Sequence, residues 1–192
     1  MADHVLFQQR VLPHLDAAYN LARWLTRSTH DAEDVVQEAC MRALKYAGSL
    51  NSGDARPWFL TIVRHAFYDW CRRNRPVDIA PDDGTAIETA VDPHAVDPEQ
   101  AALRRAESKA LGEAIDALPL VFREVLILRE LEELSYKEIA RIVDIPIGTV
   151  MSRLARARAL LQGSTTLRAA LAAGDDDELQ ANGNAAAGVS RR

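Results

Sequence analysis

At 192 residues the chain has room for one ordinary domain or two small ones. Hydrophobic residues make up 48% and charged residues 27%, a soluble composition with no apolar run long enough to span a bilayer. Lys and Arg number 23 against 28 Asp and Glu, and the net charge of −5 taken whole argues against a nucleic-acid binder; the distribution of charge matters more, and here it is uneven.

Almost nothing reads as strand, and the apolar periodicity is helical. A first helix is predicted from about Asp3 to Arg27, with Leu12, Leu15, Tyr19, Ala22 and Leu25 or Thr26 along one face. A second starts near Asp31 as N-cap, buries Val35/Val36, Ala39/Cys40, Ala43/Leu44 and Ala47, and stops at Gly48. A polar loop, Ser49 to Ala55, follows. A third long helix covers roughly Arg56 to Arg73, with Pro57 in its first turn. Trp58, Ile62, Ala66 and Trp70 form one apolar line and Phe59, Val63 and Phe67 a second, so Trp58, Phe59, Phe67 and Trp70 are assigned to the core and Tyr68 to the surface.

Pro76 to Gln100 changes character. It carries four prolines and seven acids with no Lys or Arg, which predicts a flexible acidic linker and a domain boundary. Helical pattern resumes over Ala101 to Leu118, Pro119 to Leu131, Ser135 to Val143 and about Pro146 to Gln162. The tail from Gly163 is Ala- and Gly-rich and predicted to be disordered beyond a short stretch around Leu167. The expectation is an all-α protein: a helical domain over 1–76, an acidic linker over 77–100, a helix-turn-helix domain over 101–163 and a tail over 164–192.

Cys40 and Cys71 have no motif spacing and fit a reducing compartment, and the five histidines are scattered, so neither a metal nor a cofactor is expected. Met1 to Arg10 lacks the basic and apolar regions of a signal peptide, so the expected location is the cytoplasm.

The most informative motif is Ser135-Tyr-Lys-Glu138, a capping box with Ser at N-cap and Glu at N3. It opens a short helix with Ile139, Ala140 and Val143 as apolar residues. Asp144-Ile-Pro146 ends it, and a longer helix begins around Ile147: the helix-turn-helix order. Val150, Leu154, Ala157 and Leu161 should pack inward, leaving Thr149, Ser152, Arg153 and Arg156 outward. From Ile147 to Gln162 the chain holds Arg153, Arg156 and Arg158 and no acid, a local +3 suited to a major groove, where Arg holds a guanine edge or a phosphate. A helical hairpin whose arginines merely face solvent is the plainer alternative.

Ala117-Leu-Pro119, Phe122-Arg-Glu-Val-Leu-Ile-Leu128, Leu134-Ser-Tyr-Lys-Glu-Ile-Ala140 and Ile145-Pro-Ile-Gly-Thr-Val-Met-Ser-Arg-Leu-Ala-Arg-Ala-Arg158 resemble the C-terminal promoter-binding domain of bacterial extracytoplasmic-function (ECF) sigma factors. The resemblance implies reading of the minus-thirty-five element. Met151 departs from the family, which often has Lys or Arg there, so one phosphate or base contact is in question. Asp31-Ala-Glu-Asp-Val-Val-Gln-Glu38 through Arg42-Ala-Leu44 resembles the family's polymerase-docking helix. This implies that Asp34, Gln37, Glu38 and Arg42 meet the clamp helices of the β′ subunit. Arg56-Pro-Trp-Phe-Leu60 through Ala66-Phe-Tyr-Asp-Trp-Cys-Arg-Arg73 resembles the minus-ten-recognition helix, where Arg56, Arg64, Tyr68, Arg72 and Arg73 are candidate contacts. Interleaved basic and aromatic residues suit single-stranded DNA. By the same resemblance, the loop before it holds a flipped base, with Asn51, Ser52 and Asp54 suited to reading its edge.

The implied function is promoter-directed initiation by core RNA polymerase, with an anti-sigma factor as a further partner that many family members have. A free-standing helix-turn-helix regulator is the alternative. An enzyme is disfavoured: there is no Gly-rich phosphate loop, no paired carboxylates on facing segments and no nucleophile with a base.

Overall fold

The computed structural model describes residues 2–50, 54–74 and 98–164, and among them every regular element is helical. The predicted linker up to residue 97, the tail from 165 and the loop residues Asn51 and Ser52 lie outside the described residues.

The first predicted helix is broken. α1 spans Ala2–Arg10, a 3-10 turn covers Leu12–His14, and α2 runs Leu15–Thr26. Pro13 sits inside that turn, where it removes a backbone donor and fixes its own φ. The break shifts the phase of the buried face. Leu12 and Leu15 are exposed and Tyr19 half-buried, while Val11, Ala18, Leu21, Ala22 and Leu25 form the core side. α2 ends on Arg27 in the left-handed region at φ 61°, its N–H bonded to the Arg23 carbonyl.

α3 (Thr29–Tyr46) is capped three residues earlier than predicted. Ser28, not Asp31, is the N-cap: its Oγ accepts from the Asp31 N–H at 3.3 Å. The buried stripe Ala32, Val35, Val36, Ala39, Ala43 and Ala47 follows the expected spacing. A 3-10 turn, Ala47–Ser49, closes the helix.

α4 (Ala55–Asn74) takes its start from Asp54, whose Oδ1 accepts from the Arg56 N–H at 3.0 Å. Phe59, Leu60, Val63, Ala66 and Phe67 are buried. Trp58 and Trp70, assigned to the core from sequence, are only half-buried; the Phe59 line points inward, and of the Trp58 line only Ala66 is fully buried.

α5 (Pro98–Asp116), α6 (Leu120–Glu130), α7 (Tyr136–Val143) and α8 (Ile147–Gly163) follow. The chain divides into two compact units. Among the described residues, one joins 2–50 and 54–74 to 119–157; the other joins 98–118 to 158–164. In the first unit α2, α3 and α4 pack on one another, α6 packs on α2, and α7 packs on α4 and α6. Val125, Leu126, Ile127 and Leu128 of α6 are all buried, as are Ile139, Ile142 and Val143 of α7 and Val150, Leu154 and Ala157 of α8. In the second unit α5 buries Ala110, Ala114 and Ile115.

Candidate nucleic-acid interface

The capping box forms as its residues require. The Ser135 N–H donates to Glu138 Oε2 at 2.8 Å, and Ser135 Oγ accepts from the Glu138 N–H at 3.3 Å. The Ser135 hydroxyl, donating to Glu138 Oε2 at 2.5 Å, and the Ser135 N–H hold the Glu138 carboxyl below its ordinary value. Behind it, Arg129 Nη1 donates to the Leu134 carbonyl at 2.8 Å and its guanidinium lies 5.1 Å from the Tyr136 ring, fixing the turn from α6 into α7. At the other end Asp144 caps α7 in the left-handed region, φ 56° and ψ 53°. The N–H groups of Thr149 and Val150 then turn back to the Pro146 carbonyl, starting α8.

On α8 the predicted inward residues Val150, Leu154 and Ala157 are buried, and Leu161 is half-buried. Ser152 and Arg156 are exposed; Thr149 and Arg153 are half-buried. Ser152 Oγ donates to the Thr149 carbonyl at 3.0 Å. Arg153 lies within electrostatic reach of Glu124 on α6. Of the apolar residues predicted for α7, Ala140 is half-buried and Ile142 takes the core position instead.

The candidate residues of α4 divide into two sets. Arg72 and Arg73, in the last turn, are exposed, with Arg72 paired to Asp69. Arg56 and Arg64 share one face two turns apart, and both are occupied. Arg64 Nε donates to Glu124 Oε1 at 2.6 Å, and Arg56 Nη2 pairs with Glu132 Oε2. The Arg64 guanidinium also lies 4.7 Å from the Tyr68 ring, so the tyrosine predicted at the surface is half-buried beneath it. Burial pushes the Glu124 carboxyl up against the pull of Arg64, and burial likewise raises the Tyr68 hydroxyl. Asp54 is exposed and used as a helix cap.

On α3, Asp34 and Gln37 are exposed and Glu38 and Arg42 half-buried. Arg42 does more than pair locally. Its Nε donates to Glu38 Oε1 at 2.7 Å and its Nη1 to Asp69 Oδ2 at 2.5 Å on α4. The hydrogen bond from Arg42 holds the Asp69 carboxyl below its ordinary value. Met41, Lys45 and Tyr46 extend this face and, with Ile62 and His65 of α4, line a groove beside Arg42. Burial raises the Cys40 thiol, and neither Cys40 nor Cys71 is in a disulfide. Among the described residues no cluster of His, Cys, Asp or Glu is set to hold a metal, and no helix is long and apolar enough to cross a membrane.

An all-helical chain with an acid-free basic helix directly behind a capped short helix has the helix-turn-helix order of DNA-binding proteins. The comparisons with known proteins name its kind. Residues 11–77 match the family described as Sigma-70 region 2, and residues 108–161 match Sigma-70, region 4. The chain is 30% identical over 166 residues to the ECF RNA polymerase sigma factor SigW of Bacillus subtilis, covering 83% of this chain and 89% of that protein. It is 33% identical over 158 residues to the ECF sigma factor SigE of Mycolicibacterium smegmatis, covering 81% of this chain but 60% of that longer protein. The fold is similar to that of the sigma factor RpoE of Bartonella quintana, solved in complex with the anti-sigma factor NepR. The TM-score is 0.62 at 26% identity, covering 82% of this chain and 94% of that one. The chain belongs to the ECF RNA polymerase sigma factor family. It is not an enzyme: it serves promoter-specific initiation with core RNA polymerase, which performs the chemistry.

Proposed function

We propose that the outer face of α8, with Thr149, Ser152, Arg153 and Arg156, reads the minus-thirty-five element in the major groove. Residues 101–163 then act as one promoter-binding domain. The minus-ten element falls to residues 1–76, through Arg56, Arg64, Tyr68, Arg72 and Arg73 of α4, with Asn51 in the preceding loop, and residues 77–100 tether the two. Asp34, Gln37, Glu38 and Arg42 dock on the β′ clamp helices. The protein works in the cytoplasm, and an anti-sigma factor restrains it. The single observation that carries this reading is the exposed, acid-free basic face of α8 directly behind a fully formed capping box. Support for the docking face comes from Asp34 and Gln37, which are solvent-exposed, and from Glu38 and Arg42, which line a groove on the same helix.

Transcription in vitro with core polymerase and fragmented genomic DNA tests the whole reading: new start sites sharing two spaced elements are expected, and none refutes it. Gln37→Ala and Glu38→Lys test the docking face. Both should melt close to wild type and lose in competition for core polymerase against another sigma factor, the charge reversal more than the truncation. Wild-type competition by both removes the docking assignment. Co-purification from cells in the uninduced state identifies the anti-sigma factor.

A further inference from the structure

Asp69, on α4, accepts from arginines on two helices. Its Oδ2 takes Nη1 of Arg42 from α3 at 2.5 Å, and its Oδ1 takes Nη2 of Arg72 one turn further along α4. Glu38 holds the other side of Arg42, accepting from Nε at 2.7 Å. The result is a chain of alternating charge, Glu38–Arg42–Asp69–Arg72, that starts on α3 and ends in the last turn of α4. Arg42, Asp69 and Arg72 line one open groove together with Arg64, His65 and Tyr68.

Stability does not account for the outer link of this chain. An i,i+3 pair whose Arg72 side chain is 74% exposed adds little to folding. Charge alone does not account for it either, because an acid beside a DNA-contacting arginine repels phosphate. Orientation does. An exposed arginine samples many rotamers, and ordering it on binding weakens a complex. Asp69 is itself held by Arg42 from a different helix, so the oxygen it offers Arg72 is fixed relative to the α3–α4 pair. Arg72 gives Asp69 its Nη2 and keeps its remaining N–H groups for another anion.

We infer that Asp69 is a positioning residue: anchored by Arg42, it holds the Arg72 guanidinium in the orientation that meets a backbone phosphate of the minus-ten strand. Asp69 itself touches no DNA. Two guanidinium groups share its one carboxylate, so the outer end of the chain stays positive. The inference rests on the reading of α4 as a promoter-contact helix.

The test uses holoenzyme at saturating core polymerase. The probe is a fluorescein-labelled promoter fragment from a start site mapped by transcription, its minus-ten segment unpaired by mismatches. Affinity is measured over a range of salt. Coulomb attraction alone makes Asp69→Asn bind more tightly, since it removes an acid. Positioning makes it bind about tenfold more weakly. The salt slope should fall by about 0.7, the share of one single-strand phosphate contact. Arg72→Ala should show the same loss, and adding Asp69→Asn to it should do nothing more. Added to Arg73→Ala, Asp69→Asn should keep its full effect. A merely structural Asp69 lowers the melting temperature without this dependence on Arg72. Asp16→Asn, the same charge change on an exposed residue of α2, should leave affinity near wild type.

Wild-type or tighter binding by Asp69→Asn overturns the inference, and so does an undiminished loss in the Arg72→Ala background. If Asp69→Asn does not fold, Asp69→Glu decides. Charge alone leaves its affinity unchanged, whereas oxygens displaced by a methylene should weaken binding severalfold through Arg72. Failure of the promoter reading looks different. Arg72→Ala binding as wild type, or a chain that directs no initiation from any fragment, removes both ideas. Arg72→Ala weakened beside an unaffected Asp69→Asn removes only the positioning role.

Discussion

Arg42 is the residue whose observed role departs furthest from its sequence reading, and Arg42→Ala shows what that role is. Its guanidinium bridges Glu38 on α3 and Asp69 on α4 with a side chain 28% exposed, beside carboxylates 35% and 30% exposed. The bond within α3 is an ordinary i,i+4 pair, worth about 0.3–0.5 kcal/mol. The bond to α4 is charge-assisted but partly open to solvent; discounted for screening, it is worth roughly 1 kcal/mol. Truncation should therefore cost about 1–1.5 kcal/mol, a fall in Tm of roughly 3–6 °C for a unit of this size. A cycle of Arg42→Ala, Asp69→Ala and the double variant in urea should return a coupling near 1 kcal/mol. The pH dependence has a definite sign. Asp69 is depressed from 3.8 in the folded state, so its contribution is present above that value and is lost as pH falls through the lower folded value. Arg42→Ala should flatten that acid limb, and wild-type and variant stabilities should converge as pH drops below about 4. A coupling under about 0.3 kcal/mol, or an unchanged acid limb, refutes the bridge and returns Arg42 to a plain surface contact.

Further outcomes follow from the helix-turn-helix. Arg156→Ala should weaken promoter binding by about 1–3 kcal/mol, roughly 5- to 150-fold in Kd, whereas Arg158→Ala, off that face with Met151, should matter less; equal small effects in filter binding or transcription contradict the face assignment. Ser135→Ala removes the cap of α7 and should cost about 1 kcal/mol in urea unfolding, with the Glu138 carboxyl returning toward 4.5 when followed by NMR titration. Asp144→Gly relieves a left-handed residue with φ 56° and should raise stability by about 0.5 kcal/mol with promoter affinity unchanged; destabilisation would mean that the Asp144 side chain is needed at the turn.

What was legible in the sequence was local. The capping box, the turn at Asp144 to Pro146 and the inward set Val150, Leu154 and Ala157 depend on neighbours within four residues, and all three formed as read. The errors at the N-terminus were also local and had signals. Pro13 marks the break that turns Leu12 and Leu15 outward, and Ser28-Thr-His-Asp31 carries the cap spacing that Asp31 alone does not. The pairing of Arg56 with Glu132 and of Arg64 with Glu124 was not legible, because helical periodicity says which face is apolar and not which other helix meets it. One sign was present: α6 places Arg123 and Glu124 inside an apolar run that leaves no room for a fully polar face, and both are buried. A charge with nowhere on its own helix to reach water must find a partner elsewhere.

The bulk charge misled for the same reason. A sum of −5 counts an acid equally wherever it lies, yet Glu124 and Glu132 sit against Arg64 and Arg56, while Arg72, Arg73 and Arg156 are exposed. Pairing cations internally differs physically from lacking them. A carboxylate partner can be exchanged for a phosphate at similar geometry, because the guanidinium presents the same forked donors to both. An apolar substitute for the Arg64–Glu124 pair is expected to be neutral or stabilising for the unit. Because these acids are matched inside the unit, the sum of −5 says little about the charge of the exposed faces.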